Sequence, residues 1–354
     1  MSDPGRSDPG RSDPGPSRRT AVVGCGDVSA VHLDALAAMP DVELTAVVDV
    51  DARRARAVAD AWPHGRPAVV TDLARLFDGP DPAPDVVHIT TPHADHVPLA
   101  LTALAAGVDV LLEKPLASTL ADGERLAAAA DASTARLGIC FQNRYNATSR
   151  AMRAVLDAGD LGEVIGAGAT VRWHRDAAYY ASRPWRGTWA GSGGGVLMNQ
   201  AIHTLDLLLW LLGDAEEVTG SAGQRALGGV IEVEDTADLN LRHAGGVRST
   251  LFATNAASLN HPVSLEVQGT RGRMVLNGDL TVLPDDGDPV TVTETLPGDV
   301  GRSYWGASHA ALIRDFHAGH GSGEPFWIDA AEALKPLRAI TAVYAQTYPA
   351  GAWV

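Results

Sequence analysis

The sequence predicts an α/β Rossmann dinucleotide-binding domain followed by an α+β substrate domain with an open-faced, largely antiparallel sheet. Three observations lead there. From Thr20 to about Asn143, short apolar runs alternate with helical stretches, and strands apolar on both sides belong in a parallel sheet covered on both faces. Beyond Asn143 the segments become long and strand-like with Gly-containing turns, which suits antiparallel pairing. Between the first strand and the first helix stands Gly24-Cys25-Gly26-Asp27-Val28-Ser29, a G-x-G-x-x-G turn with a small serine in third place.

The elements follow in order. TAVVGCG at 20–26 is a strand running into glycines, and AVHLDALAAM at 30–39 is a helix. VELTAVVDV is the second strand, followed by a helix from about 52 to 62. PAVVTD, PDVVHITTP, VDVLLEKP and RLGICFQN continue the series, with helical segments between most of them. In the second half, GEVIGAGATVRWHR, EEVTGSAGQRAL, TADLNLRHAGGVRSTLFATNAA, VSLEVQGTRGRMVLNG and DPVTVTETL read as strands. A helix over 195–212 interrupts them, and helices near 308–318 and 329–347 close the chain. The domains expected are an NAD-binding unit over 20–143 and a substrate-binding and oligomerisation unit over 144–327. The last helix, about 328–348, is expected to pack back on the first unit.

Residues 1–19 stand apart: SDPGR occurs at 2–6 and 7–11 and SDPGP at 12–16, a repeat with nothing to bury, read as a disordered tail. It ends in Ser17-Arg18-Arg19, but the apolar run that follows is too short for an export signal and is read as the first strand.

Composition excludes several functions. A formal charge of −15 argues against nucleic acid or an anionic membrane as partner. Two cysteines, Cys25 and Cys140, make neither a disulfide framework nor a zinc motif, so no metal is expected and a reducing cytoplasm is the expected location.

The turn at Gly24 and Gly26, with Asp27 and Val28, offers close backbone approach and a helix N-terminus to a pyrophosphate. Asp49 ends the second strand twenty residues beyond Ser29, where a carboxylate accepts the adenosine ribose hydroxyls and repels a 2′-phosphate. The expected cofactor is therefore NAD rather than NADP, although Arg53 and Arg54 stand within reach of a phosphate.

Of 28 Lys+Arg, only Lys114 and Lys335 are lysines. Lys114 falls at the carboxyl end of a parallel strand, where open α/β sheets place ligands. An ammonium there can hydrogen-bond a substrate hydroxyl and give up its proton on burial; a guanidinium stays charged. Glu113 reads as its supporting partner. In GGGVLMNQAIHTLDLLLWLL, residues 193–212, Asn199, His203 and Asp206 are spaced i, i+4, i+7 and share one helix face. A polar stripe on so apolar a helix needs a partner or a ligand. His203 suits general acid/base work, while Asp206 either orients the imidazole or is a structural carboxylate.

Together, Gly24-x-Gly26, Thr91-Pro92-x-x-x-His96, Glu113-Lys114-Pro115 and Gly193-Gly194-Gly195 with His203 and Asp206 resemble the glucose–fructose oxidoreductase / inositol dehydrogenase / rhizopine catabolism (Gfo/Idh/MocA) family, over everything after the tail. The resemblance implies nicotinamide-dependent oxidation or reduction at a carbinol carbon of a sugar, cyclitol or related polyol. It implies a homodimer or homotetramer and a Lys–Pro bond that is often cis. Lys114 and His203 are then the catalytic residues, with the base between them left open. Asn199, where many members have Asp, can hydrogen-bond a substrate hydroxyl but carries no proton. Thr91, Pro92 and His96 resemble the loop past the nicotinamide ribose, His96 being equally a helix-start residue. Glu113, Lys114 and Gln142 join them as cofactor contacts. Arg144, Trp173, Arg175 and Tyr180 are the further substrate candidates, with domain-joining or subunit contacts as their alternative, and His309 can complete the pocket. Two other readings share this scaffold: a glycoside hydrolase that uses NAD transiently, and a dinucleotide-sensing regulator without turnover.

Overall fold

The computed structural model describes residues 17–79, 81–294, 308–348, 351 and 353. Its first part interleaves six strands with five helices: β1 (Arg18–Val23), α1 (Ser29–Ala37), β2 (Val42–Val48), α2 (Ala52–Ala61), β3 (Ala68–Val70), α3 (Arg75–Asp78), β4 (Val86–Ile89), α4 (His93–Ala105), β5 (Asp109–Glu113), α5 (Leu120–Asp131) and β6 (Leu137–Cys140). The strands form one parallel sheet in the order β3-β2-β1-β4-β5-β6. The order reverses between β1 and β4, so a crevice opens beyond their carboxyl ends, at Gly24 and Thr90–Pro92. β4, β5 and β6 are buried at every position, as strands covered on both faces must be.

A short 3-10 turn, Gln142–Tyr145, leads out of β6 into the second part. There follow α6 (Ala147–Ala158), β7 (Val164–Arg172), α7 (Ala177–Ser182), α8 (Trp189–Ser192), a π-helical turn (Leu197–Ala201) running into α9 (Ile202–Leu212), then β8 (Ala215–Gly223), β9 (Thr236–His243), β10 (Arg248–Thr254), β11 (Ser264–Gly269), β12 (Gly272–Asn277), β13 (Asp279–Pro284) and β14 (Val290–Val292). These eight strands form a second sheet, order β14-β13-β12-β11-β7-β10-β9-β8, antiparallel except for the β7–β10 pair. β9 and β10 alternate buried and open positions, so one face meets the core and the other stays uncovered. The stretch Trp189–Leu212 is long and apolar enough to cross a bilayer by composition, yet 78% of its most apolar 18 residues is inside the molecule.

The chain closes with α10 (His309–Ala318) and α11 (Ala330–Thr347). α11 lies between the two parts. Leu334 and Leu337 press on Gly123 of α5, while Gln346 Nε2 donates to Val218 O of β8 and Thr347 Oγ1 accepts from Ala222 N of β8.

Four details differ from the sequence reading. β1 starts at Arg18, because Arg18 and Arg19 already pair with Val42 and Glu43, so two residues assigned to the tail belong to the sheet. The SDPGR repeat lies outside the described residues. Helix α6 was not foreseen, although Ala151, Met152, Val155 and Leu156 recur at helical spacing and pack on the core. β13 was also missed, hidden directly after β12 and the Gly278 turn. The DPVTVTETL segment is a strand only over Val290–Val292, and its last two residues lie outside the described residues.

Candidate active site

The dinucleotide turn is built by packing on one side and open space on the other. Gly24 has φ +91°, and a Cβ there would stand 2.8 Å from Thr90 C and O, so only glycine fits. At Gly26 a Cβ would meet no described atom within 4 Å, so packing does not explain that glycine; close approach of a phosphate to the backbone does. No side chain caps the N-terminus of α1, next to Val28, which leaves its first amides for an anion. Asp49 is buried at the end of β2, its oxygens accepting from Cys25 N (2.9 Å) and Asp51 N (2.8 Å). Each oxygen keeps a lone pair for a ribose hydroxyl. Arg54 stands 3.3 Å from Asp49 Oδ1. Asp27 in the turn pairs with Arg183 (3.0 Å) and Arg186 (3.4 Å), which arrive from the segment before Gly193. These residues fit a pyrophosphate and a free adenosine ribose.

At the end of β5, the Lys114–Pro115 bond is cis. Lys114 Nζ donates to the main-chain carbonyl of Asn199, 2.9 Å away in the π-helical turn. A π turn shifts the ladder out of α register, and it lies where the lysine arrives. Burial pushes the Lys114 ammonium down in pKa against the pull of Glu113, and Arg186 adds to the push. Glu113 is buried; its Oε1 accepts from His32 Nε2 (3.1 Å) and His309 Nε2 (3.2 Å), its Oε2 from the Lys114 amide (3.2 Å). Burial alone would raise this carboxyl, but the hydrogen bonds from His309 and His32 hold it well below the usual range. Glu113 thus supports the site through these bonds. His32, Glu113 and Cys140 offer ligand atoms within 4.8 Å of one another, a spacing a metal ion can bridge.

The Gly193–Gly195 segment is shaped by close contacts. Gly193 has φ +71° and a Cβ there would lie 2.1 Å from Ser118 O; at Gly195 it would lie 1.8 Å from Glu234 O. Glu234 is buried and accepts from Gly195 N (2.8 Å), Leu197 N (3.0 Å) and Tyr344 Oη (2.8 Å), so it holds the start of the helix that carries Asn199 and His203. Sequence reasoning missed it; an acid amid the apolar residues of IEVED was the available signal.

His203 lies against Phe141, ring centroids 6.0 Å apart, and its Nδ1 has no partner among the described residues. Burial first, then the Lys114 charge, hold its pKa well below the ordinary value, so the ring is neutral and able to accept a proton. The i, i+4, i+7 reading of Asn199, His203 and Asp206 assumed one regular α-helix; Asn199 lies in the π turn, while His203 and Asp206 both lie on α9. Asp206 turns instead to Arg144.

That pairing corrects one substrate candidate. Arg144 Nε and Nη2 donate to Asp206 at 2.9 and 2.7 Å, and Nη1 donates to Glu332 at 2.9 Å. With its side chain 1% exposed, Arg144 joins the 3-10 turn, α9 and α11 and offers nothing to a substrate. His96 is also turned inward, its Nδ1 on Pro115 O (2.8 Å) and Nε2 on Thr91 O (3.1 Å). A neutral ring carries one N–H, so His96 donates to one of these two carbonyls and is buried between the Thr91–Pro92 loop and the Lys114–Pro115 turn. His93 does similar work across the joint, bonding Ser192 O at 2.9 Å beside the Trp185 ring.

Gln142 is buried in the 3-10 turn. Trp173 is buried, and its Nε1 donates to His261 O at 3.2 Å. Arg175 donates to His174 O and Asn260 Oδ1 and stacks on Trp173 and Tyr179. Tyr180 is buried, its hydroxyl accepting from Asn255 Nδ2 at 3.0 Å, within a network that includes Gln200. These three therefore brace β7 and the loop after it.

Comparison with known proteins agrees with this architecture. Residues 18–141 match the model of an oxidoreductase family with an NAD-binding Rossmann fold, and residues 149–275 match the GFO/IDH/MocA C-terminal domain. An inositol 2-dehydrogenase of Paenarthrobacter aurescens is 30% identical over 79% of this chain and 81% of its own length. A D-apiose dehydrogenase of Paraburkholderia graminis is 27% identical over 92% of this chain and 86% of its own. The WlbA dehydrogenase of Bordetella pertussis, solved with NADH and UDP-GlcNAcA, superposes with a TM-score of 0.78 at 29% identity, over 93% of this chain and 95% of that one.

Proposed function

This chain belongs to the Gfo/Idh/MocA oxidoreductase family, and we propose that it is an NAD-dependent dehydrogenase acting on a carbinol carbon of a sugar, cyclitol or related polyol. The observation that carries this reading is the placement of Lys114 at the end of β5, bonded across the joint to the turn that leads into His203. The dinucleotide turn stands beside them.

Bound nicotinamide supplies the hydride acceptor for oxidation or the donor for reduction. The chain supplies the rest. Gly24, Gly26 and the α1 amides take the pyrophosphate, Asp49 takes the ribose hydroxyls, and Thr91 and Pro92 line the nicotinamide end. Lys114 and His203, both lowered in pKa by burial, are the groups to accept the hydroxyl proton. The Asn199 side chain orients a neighbouring hydroxyl. No metal ion is needed for this chemistry.

The uncovered face of the second sheet, with Phe252 42% exposed among Thr250, Asn240 and Glu266, is the surface we assign to a homodimer or homotetramer. The two buried free cysteines suit a reducing cytoplasm. A panel of sugars, cyclitols, sugar acids and nucleotide sugars with NAD, followed at the NADH absorbance, tests the activity. NADH formation with at least one of them is expected. Turnover of an aryl glycoside with no net NADH would replace this reading with the hydrolase.

A further inference from the structure

The helical stretch that carries Asn199 and His203 starts without a cap of its own. The first amides of a helix are ordinarily satisfied by a Ser, Thr, Asp or Asn side chain just before it. Here those positions are closed to side chains. A Cβ at Gly193 would stand 2.1 Å from Ser118 O, and one at Gly194 would stand 2.1 Å from Tyr344 Oη. Glu234, 39 positions beyond Gly195, fills that role instead. Its Oε2 accepts from Gly195 N (2.8 Å), its main-chain oxygen from Val196 N (3.0 Å) and its Oε1 from Leu197 N (3.0 Å). Three successive amides end on a single remote residue.

Glu234 is itself held in place. Asp235, next along the chain, accepts from Arg225 N, Ala226 N, Leu227 N and Thr236 Oγ1 at 2.7–3.0 Å, which ties down the loop before β9. The Asp235 backbone bonds Gly223 O and Asn255 N on either side. From α11, Tyr344 Oη donates to Glu234 Oε1 at 2.8 Å. Among the described residues no Lys or Arg pairs with this buried acid. Burying a carboxylate without a cation is costly, whereas a neutral Ser or Thr suffices at an ordinary helix end.

What hangs from the capped turn is the resting place of Lys114. Asn199 N donates to Gly195 O at 3.0 Å, and Asn199 O accepts from Lys114 Nζ at 2.9 Å. Two hydrogen bonds thus lead from Lys114 to Gly195, and a third joins Gly195 to Glu234. We propose that Glu234 is a positioning residue of the reaction: its carboxylate sets the place of the Asn199 carbonyl, and through it the reach of Lys114 toward substrate. The inference rests on the dehydrogenase reading. Glu234 is fully buried and acts only through the turn. A misplacement of about 1 Å at a reacting group costs up to about 100-fold in rate, so the effect belongs in kcat.

Glu234→Gln tests this, because it keeps the shape but has one acceptor oxygen, so its NH2 faces an amide N–H of the turn. The assay uses NAD and the best substrate of the polyol panel at about pH 8, above the value of about 7 to which burial raises the carboxyl. The variant should lose about tenfold or more in kcat, with KM and the NAD dissociation constant within about twofold of the wild type. Glu234→Asp, which keeps the charge and shortens the reach, carries the same expectation, and thermal melting with and without NAD shows which variant folds. Combining the folded variant with Lys114→Arg separates positioning from general loosening. The double variant should lose at least about fivefold less than the product of the two single losses, because both act on one interaction. Wild-type kcat in a folded variant, a loss confined to KM, or single losses that simply multiply would each overturn the proposal. A wild type inactive on the whole panel removes the dehydrogenase reading and the positioning role with it. An active wild type with an unaffected variant removes the role alone.

Discussion

Lys114 Nζ and the carbonyl oxygen of Asn199 are 2.9 Å apart across 85 positions of chain, and this bond ties the parallel sheet to the helix that carries His203. A lysine at a strand end is common enough on a surface. Here its partner is a backbone carbonyl in a π turn, beneath Glu113 and beside an imidazole held neutral.

The ribose reading at Asp49 has a direct consequence for cofactor choice. Its carboxylate is buried, fixed by two backbone amides, and cannot swing away from a 2′-phosphate. NAD should bind at least tenfold tighter than NADP by calorimetry. Asp49→Ser should narrow that gap, because Arg54, 3.3 Å from the carboxylate now, is released toward a phosphate. Equal affinities in the wild type would refute the assignment.

Arg144 and Asp206 form a buried ion pair with a bidentate geometry. Removing one partner strands a charge in the core, so Arg144→Met or Asp206→Asn should cost about 3–5 kcal/mol in chemical denaturation. The double replacement Arg144→Met/Asp206→Leu should cost less than the two singles together. Were Arg144 a substrate ligand, its loss would instead raise KM at unchanged stability.

Acid should unfold this protein early. His32, His88, His93, His96 and His317 are buried and all lowered in pKa by burial, His317 to about 3. The unfolded chain takes up these protons below about pH 6.5 and the folded chain does not, so stability is whole above that pH and is lost as pH falls below it. Each group contributes a slope of at most about 1.4 kcal/mol per pH unit. His203 and His243 are lowered in the same way and add to the five, while Glu234, raised to about 7 by burial, and Asp206, also raised by burial, have the opposite sign. The Tm should therefore drop steeply between pH 6.5 and 5; a flat or rising Tm would contradict the neutral buried histidines.

Much of the fold was legible because its signals are local. A glycine turn between a strand and a helix, Glu-Lys-Pro after an apolar run, and three glycines before a helix each declare themselves within a few residues. What stayed hidden depends on the long-range arrangement. Nothing near Arg144 announces Asp206, 62 positions on. The π turn that holds Asn199 ahead of α9 was hidden as well, because a π turn has no sequence periodicity of its own. The contacts that join His317 to His88 and His88 to His32 were equally invisible: the three lie on three different elements, and each alone looks like an ordinary core histidine.

The central claim is that Lys114 takes part in proton transfer during NAD-dependent oxidation of a polyol. The measurement that tests it most directly is kcat for Lys114→Arg, set beside its NAD dissociation constant, on whichever panel substrate the wild type oxidises. The account predicts NAD affinity within about twofold of the wild type and a loss of kcat of about 100-fold or more, since a guanidinium keeps its proton. A variant that binds NAD normally and retains its kcat would contradict it.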